Sequence, residues 1–314
     1  MVGRKVGIVG AGFVGATAAY SLTMLGTCHE VVLYDIVPEV AIGKAIDIGQ
    51  STNYSPKGTI VSAATTPSEL KDCDIVVITA GVPRRSEMTR ADLLMINAKI
   101  VKEVVENIQK YSPDAIILMV SNPLDVMNYV AHHITGWDRR RIIGMAGALD
   151  SSRMAYQIYK KVGFGSGQTR AMVIGEHGLK MIPCPEISAV GGVPLDQMLT
   201  QAEMDEISAK TCEGGAEIVK YLKTSAYYAP GRSIAKMVEA ILDDSQIVIS
   251  SSVMLEGEYG YDDLSIGVPV VLGAKGVEKI IELELDAVKR ERFDIAVASV
   301  KENIGILREN GFFG

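Results

Sequence analysis

The chain has 314 residues, about the length of two domains of ~150 residues each, and its 48% hydrophobic content and dispersed prolines argue against disorder. A net charge of −7 with scattered Lys and Arg argues against nucleic acid and anionic membranes as partners. Cys28, Cys73, Cys184 and Cys212 share no C-x-x-C spacing, which reads as free thiols in a reducing compartment and places the protein in the cytoplasm.

The first 35 residues organise the rest. Lys5–Val9 reads as a strand, followed by Gly10-Ala11-Gly12-Phe13-Val14-Gly15, an apolar helix pattern to about Gly26, and a second strand, Glu30–Tyr34, ending at Asp35. Gly10 permits a tight turn, and Gly12 lets the backbone approach a pyrophosphate without a Cβ in the way. Gly15 allows close helix–strand packing, and the free N–H groups of the helix face the phosphates. Asp35 lies 20 residues after Gly15, where a carboxylate accepts hydrogen bonds from an adenosine ribose. The bland rival is a signal peptide or membrane span, because Val6 to Gly26 carries no charge. Five glycines in those 21 residues and the acid closing the next strand speak against it.

Strand and helix patterns then alternate. Val40–Gln50 suits a helix, Gly58–Ala63 a short strand, and Asp74–Thr79 a nearly continuous apolar strand of the kind buried on both faces of a parallel sheet. Ala80–Arg90 is a charged loop, Ala91–Tyr111 a helix, and Ala115–Val120 a buried strand broken by Ser121-Asn122-Pro123. This alternation predicts a doubly wound Rossmann-type α/β domain over residues 1–144, with ligands at the carboxyl ends of its strands. From residue 145 the alternation lapses. Helices are expected over Ala148–Val162, Glu203–Leu222, Ser233–Leu242 and Leu283–Glu309, and strands over Arg170–Ile174, Gln246–Leu255 and Leu264–Leu272. Residues 145–314 therefore read as a separate α+β catalytic domain.

The chemistry-bearing residues are few. Arg84, Arg85 and Arg90 put three guanidiniums within seven residues, in a loop that is either simply solvated or closes over an anion. Of four histidines, His29, His132 and His133 read as surface or satisfied residues. His177 stands apart, held at a strand end by Gly175 and Gly178, where an imidazole exchanges a proton near neutral pH. Asp150 and Arg153, three apart at a helix start, can share one side. Asp150 can fix the tautomer of a histidine, and Arg153 can hold a carboxylate; the alternative is a purely structural ion pair. No Cys/His cluster has metal-ligand spacing, so no metal is expected.

In this order, these residues resemble the lactate/malate dehydrogenase family across essentially the whole chain. The resemblance rests on Gly10-Ala11-Gly12-Phe13-Val14-Gly15, Val120-Ser121-Asn122-Pro123, Leu149-Asp150-Ser151-Ser152-Arg153 and Gly175-Glu176-His177-Gly178. It implies an NAD-dependent 2-hydroxy acid dehydrogenase that assembles as a homodimer or homotetramer. His177 then resembles the family's proton donor and acceptor, Asp150 its partner, Arg153 the anchor for the C1 carboxylate, and Arg90 the arginine that polarises the carbonyl. Asn97 and Asn122, with Val120 and Ser121, match residues near nicotinamide and substrate. Arg84 stands where lactate enzymes carry Gln and malate enzymes Arg, and Ala226 where lactate enzymes often carry Thr. The match is to the lactate-dehydrogenase-like branch of the malate enzymes. A buried, unpaired guanidinium costs ~3–5 kcal/mol, a discrimination of roughly two to three powers of ten against a substrate without a second carboxylate. The chain departs from the family pattern at Ser86-Glu87 and at Leu179-Lys180.

The implied activity is the interconversion of (S)-malate and oxaloacetate with NAD. A lactate or broad 2-keto acid dehydrogenase and an inactive NAD-binding sensor remain as alternatives. The carboxylate of Asp35 would repel a 2′-phosphate, which favours NAD over NADP.

Overall fold

The computed structural model describes residues 3–55, 57–83 and 88–314. Its first half builds a six-stranded parallel sheet from β1 (Lys5–Val9), β2 (Glu30–Tyr34), β3 (Ile60–Ala64), β4 (Ile75–Ile78), β5 (Ile116–Met119) and β6 (Ile142–Gly144), in the order β3-β2-β1-β4-β5-β6. Helices α1 (Phe13–Leu25), α2 (Pro38–Ser51), α3 (Arg90–Tyr111) and α4 (Leu124–Thr135) run between the strands. Val and Ile make up β4, and Ile, Leu and Met make up β5; every residue of those two strands is buried, as a sheet covered on both faces requires. The strand order reverses at the β1/β4 junction, so the β1–α1 turn and the ends of β4 and β5 open onto one crevice.

The second half begins with α5 (Ala146–Val162), followed by β7 (Thr169–Arg170), β8 (Val173–Gly175), β9 (Met181–Pro183), β10 (Ala189–Val190) and β11 (Val193–Pro194). Then come α6 (Gln201–Leu222), α7 (Tyr228–Leu242), the hairpin of β12 (Ile247–Glu256) and β13 (Asp262–Gly273), β14 (Gly276–Ile280) and α8 (Ala287–Glu309). The expected strand over Arg170–Ile174 is split. β7 pairs with β10 in a small three-stranded sheet, whereas β8 pairs with β9 and β13 in the main one. Helix and strand ends move by a few residues from the periodicity-based limits; α7 starts at Tyr228 rather than Ser233 because Pro230 sits in its first turn, where a missing N–H costs nothing.

The two halves share one sheet. β6 meets β12 through the pair Gly144–Ser252, and the sheet runs on through β13, β8 and β9. Glycine makes these junctions possible. A Cβ on Gly144 would lie 2.6 Å from Ser252 Cβ, and one on Gly147 would lie 2.0 Å from Ser250 Oγ. α5 is thereby pressed onto β12. One hydrophobic core extends from Val6 on β1 to Leu307 on α8 across both halves, and a second cluster around Met154, Ile158, Met204 and Ile207 lies within the α+β half. Among the described residues no helix is long and apolar enough to cross a membrane.

Candidate active site

The glycine turn has the geometry of an anion cradle. Gly10 has φ +102°, and a Cβ there would meet Thr79 Oγ1 at 2.7 Å. A Cβ on Gly15 would lie 1.9 Å from the Gly10 carbonyl oxygen, so α1 starts directly against the turn. At Gly12 the same construction meets nothing within 4 Å, leaving open space where a diphosphate would approach. Gly12 caps α1 without a side-chain hydrogen bond, and the first turn holds no acid, which leaves its N–H groups and positive dipole end to an anion. Phe13 is largely exposed and stacks on Tyr227 with ring centroids 5.1 Å apart, while Val14 packs against the core. Asp35 is more occupied than the sequence suggests. Its Oδ2 accepts from Ala11 N at 2.8 Å and its Oδ1 from Val37 N at 3.0 Å, so the carboxylate also shapes the turn.

Opposite this turn, at the ends of β4 and β5, backbone segments are clamped together. Val120 N donates to Ile78 O at 2.9 Å, and Ser121 Oγ donates to Ala80 O at 2.5 Å. The Asn97 side chain is buried on α3. Its Oδ1 accepts from Val82 N at 2.9 Å and its Nδ2 donates to Asn122 O at 2.8 Å. Its amide therefore holds the two segments in place instead of facing the crevice. Asn122 is exposed. Arg84, Arg85, Ser86 and Glu87 lie outside the described residues.

The chemical centre is the turn between β8 and β9. Gly175 (φ +89°) and Gly178 (φ +141°) adopt backbone conformations that suit glycine, and they bracket Glu176 and His177. His177 Nδ1 lies 2.8 Å from Asp150 Oδ2, and Arg153 Nη1 donates to Asp150 Oδ1 at 2.9 Å. Asp150 is only 2% exposed, so this single buried carboxylate holds both the imidazole and the guanidinium. Gly215 of α6 lies alongside the guanidinium, where a Cβ would sit at ordinary contact distance, 3.5 Å from Arg153 Nη2. With Nδ1–H directed at Asp150, the neutral imidazole has its lone pair on Nε2, the nitrogen free to take a proton. Burial alone would pull the pKa of His177 down. The charge and hydrogen bond of Asp150 outweigh it and hold the value above the ordinary 6.5.

Two acids of this centre were not legible in the sequence. Asp125, in the first turn of α4, accepts from His177 N at 2.7 Å and is 2% exposed. Glu176 is half-buried, accepts from Ser299 Oγ at 3.2 Å, and lies 4.0 Å from Arg90 Nη2. Burial raises its pKa, against the opposing bond from Ser299. Arg90 is exposed at the first position of α3, so it reaches the centre from its rim. Leu179, at the departure from the family pattern, is 87% exposed. The support of His177 comes instead from Asp150 and Asp125.

Residues 4–144 match the model of the lactate/malate dehydrogenase NAD binding domain, and residues 147–309 match that of the α/β C-terminal domain. The chain belongs to the lactate/malate dehydrogenase family. It is 54% identical over 312 residues to a malate dehydrogenase of Sulfurimonas denitrificans, covering 99% of this chain and 98% of that protein. The crystal structure of malate dehydrogenase from Salinibacter ruber is similar at TM-score 0.93 and 40% identity, covering 98% of this chain and all of that one. A Cryptosporidium parvum lactate dehydrogenase solved with lactic acid and NAD reaches TM-score 0.92 at 34% identity, covering 98% and 99%. Fold likeness thus spans both substrate classes, and substrate choice lies in individual side chains.

The raised pKa of His177 links protonation to stability. Below about pH 6.5 the imidazole is protonated folded and unfolded, and its pairing with Asp150 stabilises the fold in full. As pH rises through the raised folded value the proton leaves and that contribution is lost. The stability advantage over His177→Asn should therefore be largest below about pH 6.5 and shrink at alkaline pH, as read from urea midpoints of both proteins across that range.

Proposed function

We propose that this chain is an NAD-dependent malate dehydrogenase, interconverting malate and oxaloacetate. The arrangement that carries the reading is the Asp150 carboxylate holding His177 and Arg153 side by side, in a chain whose curated relatives at 44–54% identity are malate dehydrogenases. NAD, when bound, supplies the hydride acceptor for C2 of the 2-hydroxy acid. Gly10 to Gly15, Asp35, Val120 and Ser121 would hold the cofactor, with Asn97 fixing the segments at Val82 and Asn122 behind them: the open space at Gly12 and the uncapped start of α1 fit its diphosphate. Asp35 would bind the adenosine ribose while it holds Ala11.

Arg153 would grip the C1 carboxylate, for which a planar fork fixed by Asp150 is pre-oriented. His177 Nε2 would take the hydroxyl proton in malate oxidation and return it to the carbonyl oxygen in oxaloacetate reduction. The imidazolium so formed is stabilised by Asp150. Arg90, tethered loosely to Glu176, would polarise the carbonyl, and Asn122 at the rim would orient the substrate. Arg84 would pair with the second carboxylate, which only a dicarboxylate brings; its sequence position supports this role.

Association with a second copy completes the reading. Ile42 and Ile46 on α2 are 40% and 57% exposed, and Tyr54 just beyond is 87% exposed, apolar side chains that a second copy would cover. The family resemblance points to a homodimer or homotetramer, and the dispersed thiols to a cytoplasmic location.

Three measurements test these points. The kcat/KM for oxaloacetate should exceed that for pyruvate by about a hundredfold or more, with Arg84→Gln moving the ratio toward pyruvate. Comparable efficiencies would put the protein among lactate or broad 2-keto acid dehydrogenases. NADH should be strongly preferred over NADPH, and equal use of the two would remove the ribose role of Asp35. Light scattering should give a mass of at least two chains, with Ile46→Lys lowering it.

A further inference from the structure

Asp125 is expensive to bury for the one hydrogen bond it makes. Its Oδ2 accepts from His177 N, while Oδ1 has no hydrogen-bond partner among the described residues. The hydroxyl of Ser252, on β12, lies beside this carboxylate and favours its charged form, though without a hydrogen bond of ordinary geometry. Burial pushes the carboxyl up to about 6, against the lowering effect of Ser252 and of the His177 N–H. The N-terminus of α4 favours a carboxylate, but only modestly. An amide of the same shape would accept the same N–H at a far smaller desolvation cost. The hydrogen bond therefore accounts for an acceptor at position 125, and not for a charge.

The charges around His177 supply the missing reason. From α5 it faces Asp150 and Arg153, from α4 Asp125, from its own turn Glu176, and from the start of α3 Arg90. Arg90 and Glu176 form a neutral pair at the rim. Of the buried groups, Asp150 serves two cations at once, Arg153 and the imidazolium. Without Asp125 the protonated cluster would hold two positive charges against one negative. With it, the cluster is balanced when His177 carries its proton.

We propose that Asp125 is a positioning residue for proton transfer: its hydrogen bond fixes the turn that carries His177, and its charge balances the imidazolium in a buried cluster with Asp150 and Arg153. The assignment rests on the malate dehydrogenase reading for its kinetic consequence, though not for the charge coupling itself. Each of the two charges favours the charged form of the other, so the protonation of His177 and of Asp125 is linked.

Asp125→Asn keeps an acceptor for His177 N and removes the charge. In that variant the pH midpoint governing both directions should fall by at least about half a unit, roughly a threefold change in protonated fraction. Oxaloacetate reduction near pH 8 should drop, while malate oxidation near pH 6.5 is maintained or raised. A loosened turn would instead slow both directions with the midpoint unmoved, and that outcome overturns the proposal. NMR titration of the His177 imidazole, assigned with His177→Asn, reads the same coupling without turnover, and an unchanged midpoint in the variant overturns it as well. A lowered midpoint in a protein that does not reduce oxaloacetate would sink the dehydrogenase reading and leave the coupling standing. If the amide variant folds poorly, Asp125→Ser, uncharged and still an acceptor, is measured in its place.

Discussion

The contact on which the site depends is that of one carboxylate with two cations. Asp150 places an oxygen 2.8 Å from His177 Nδ1 and the other 2.9 Å from Arg153 Nη1, out of reach of water. Water would weaken each attraction several-fold; the buried setting preserves them and sets the tautomer at the same time. Asp150 and Arg153 come from one turn of α5, so their spacing is fixed by helix geometry. His177 comes from the far side of the β8–β9 turn. The close approach of α5 to β12 at Gly147, and the bond from Val173 N to Ser151 Oγ at 3.1 Å, bring the two sides together.

The same economy runs through the crevice. The parallel sheet delivers a glycine turn after β1 and two clamped segments after β4 and β5. The antiparallel continuation delivers the β8–β9 turn opposite them. Because β6 and β12 are hydrogen-bonded, these pieces are registered by one sheet and one core, and not by a linker. A charged centre can therefore be assembled from α3, α4, α5 and the β8–β9 turn before any ligand arrives, which is the condition for electrostatic preorganisation.

Local signals made much of this legible. Gly10, Gly12 and Gly15 announce a turn between strand and helix because each has a distinct backbone reason to lack a side chain. Asp150 and Arg153 announce a shared face because a helix places i and i+3 together. His177 stands out because glycines flank it. What could not be read depends on contacts distant in sequence. Asp125 looks like any acid at a helix start until His177, 52 residues later, is laid against it. Asn97 reads as a crevice residue because nothing local reveals that Val82 and Asn122 consume its amide. The break between β7 and β8 is likewise decided by which strands arrive alongside, β10 for one and β13 for the other. Apolar periodicity gives no sign of it.

In the coenzyme role proposed for Asp35, its bond to Ala11 would tie recognition to architecture. A designer who wished to retool this protein for a phosphorylated dinucleotide would begin by deleting the acid at position 35. That deletion would also strip the acceptor from the Ala11 amide and slacken the glycine bend after β1. Retooling thus calls for a compensating neutral acceptor beside Ala11, installed together with the new cation. Coenzyme preference would then depend on the shape of the loop as much as on charge.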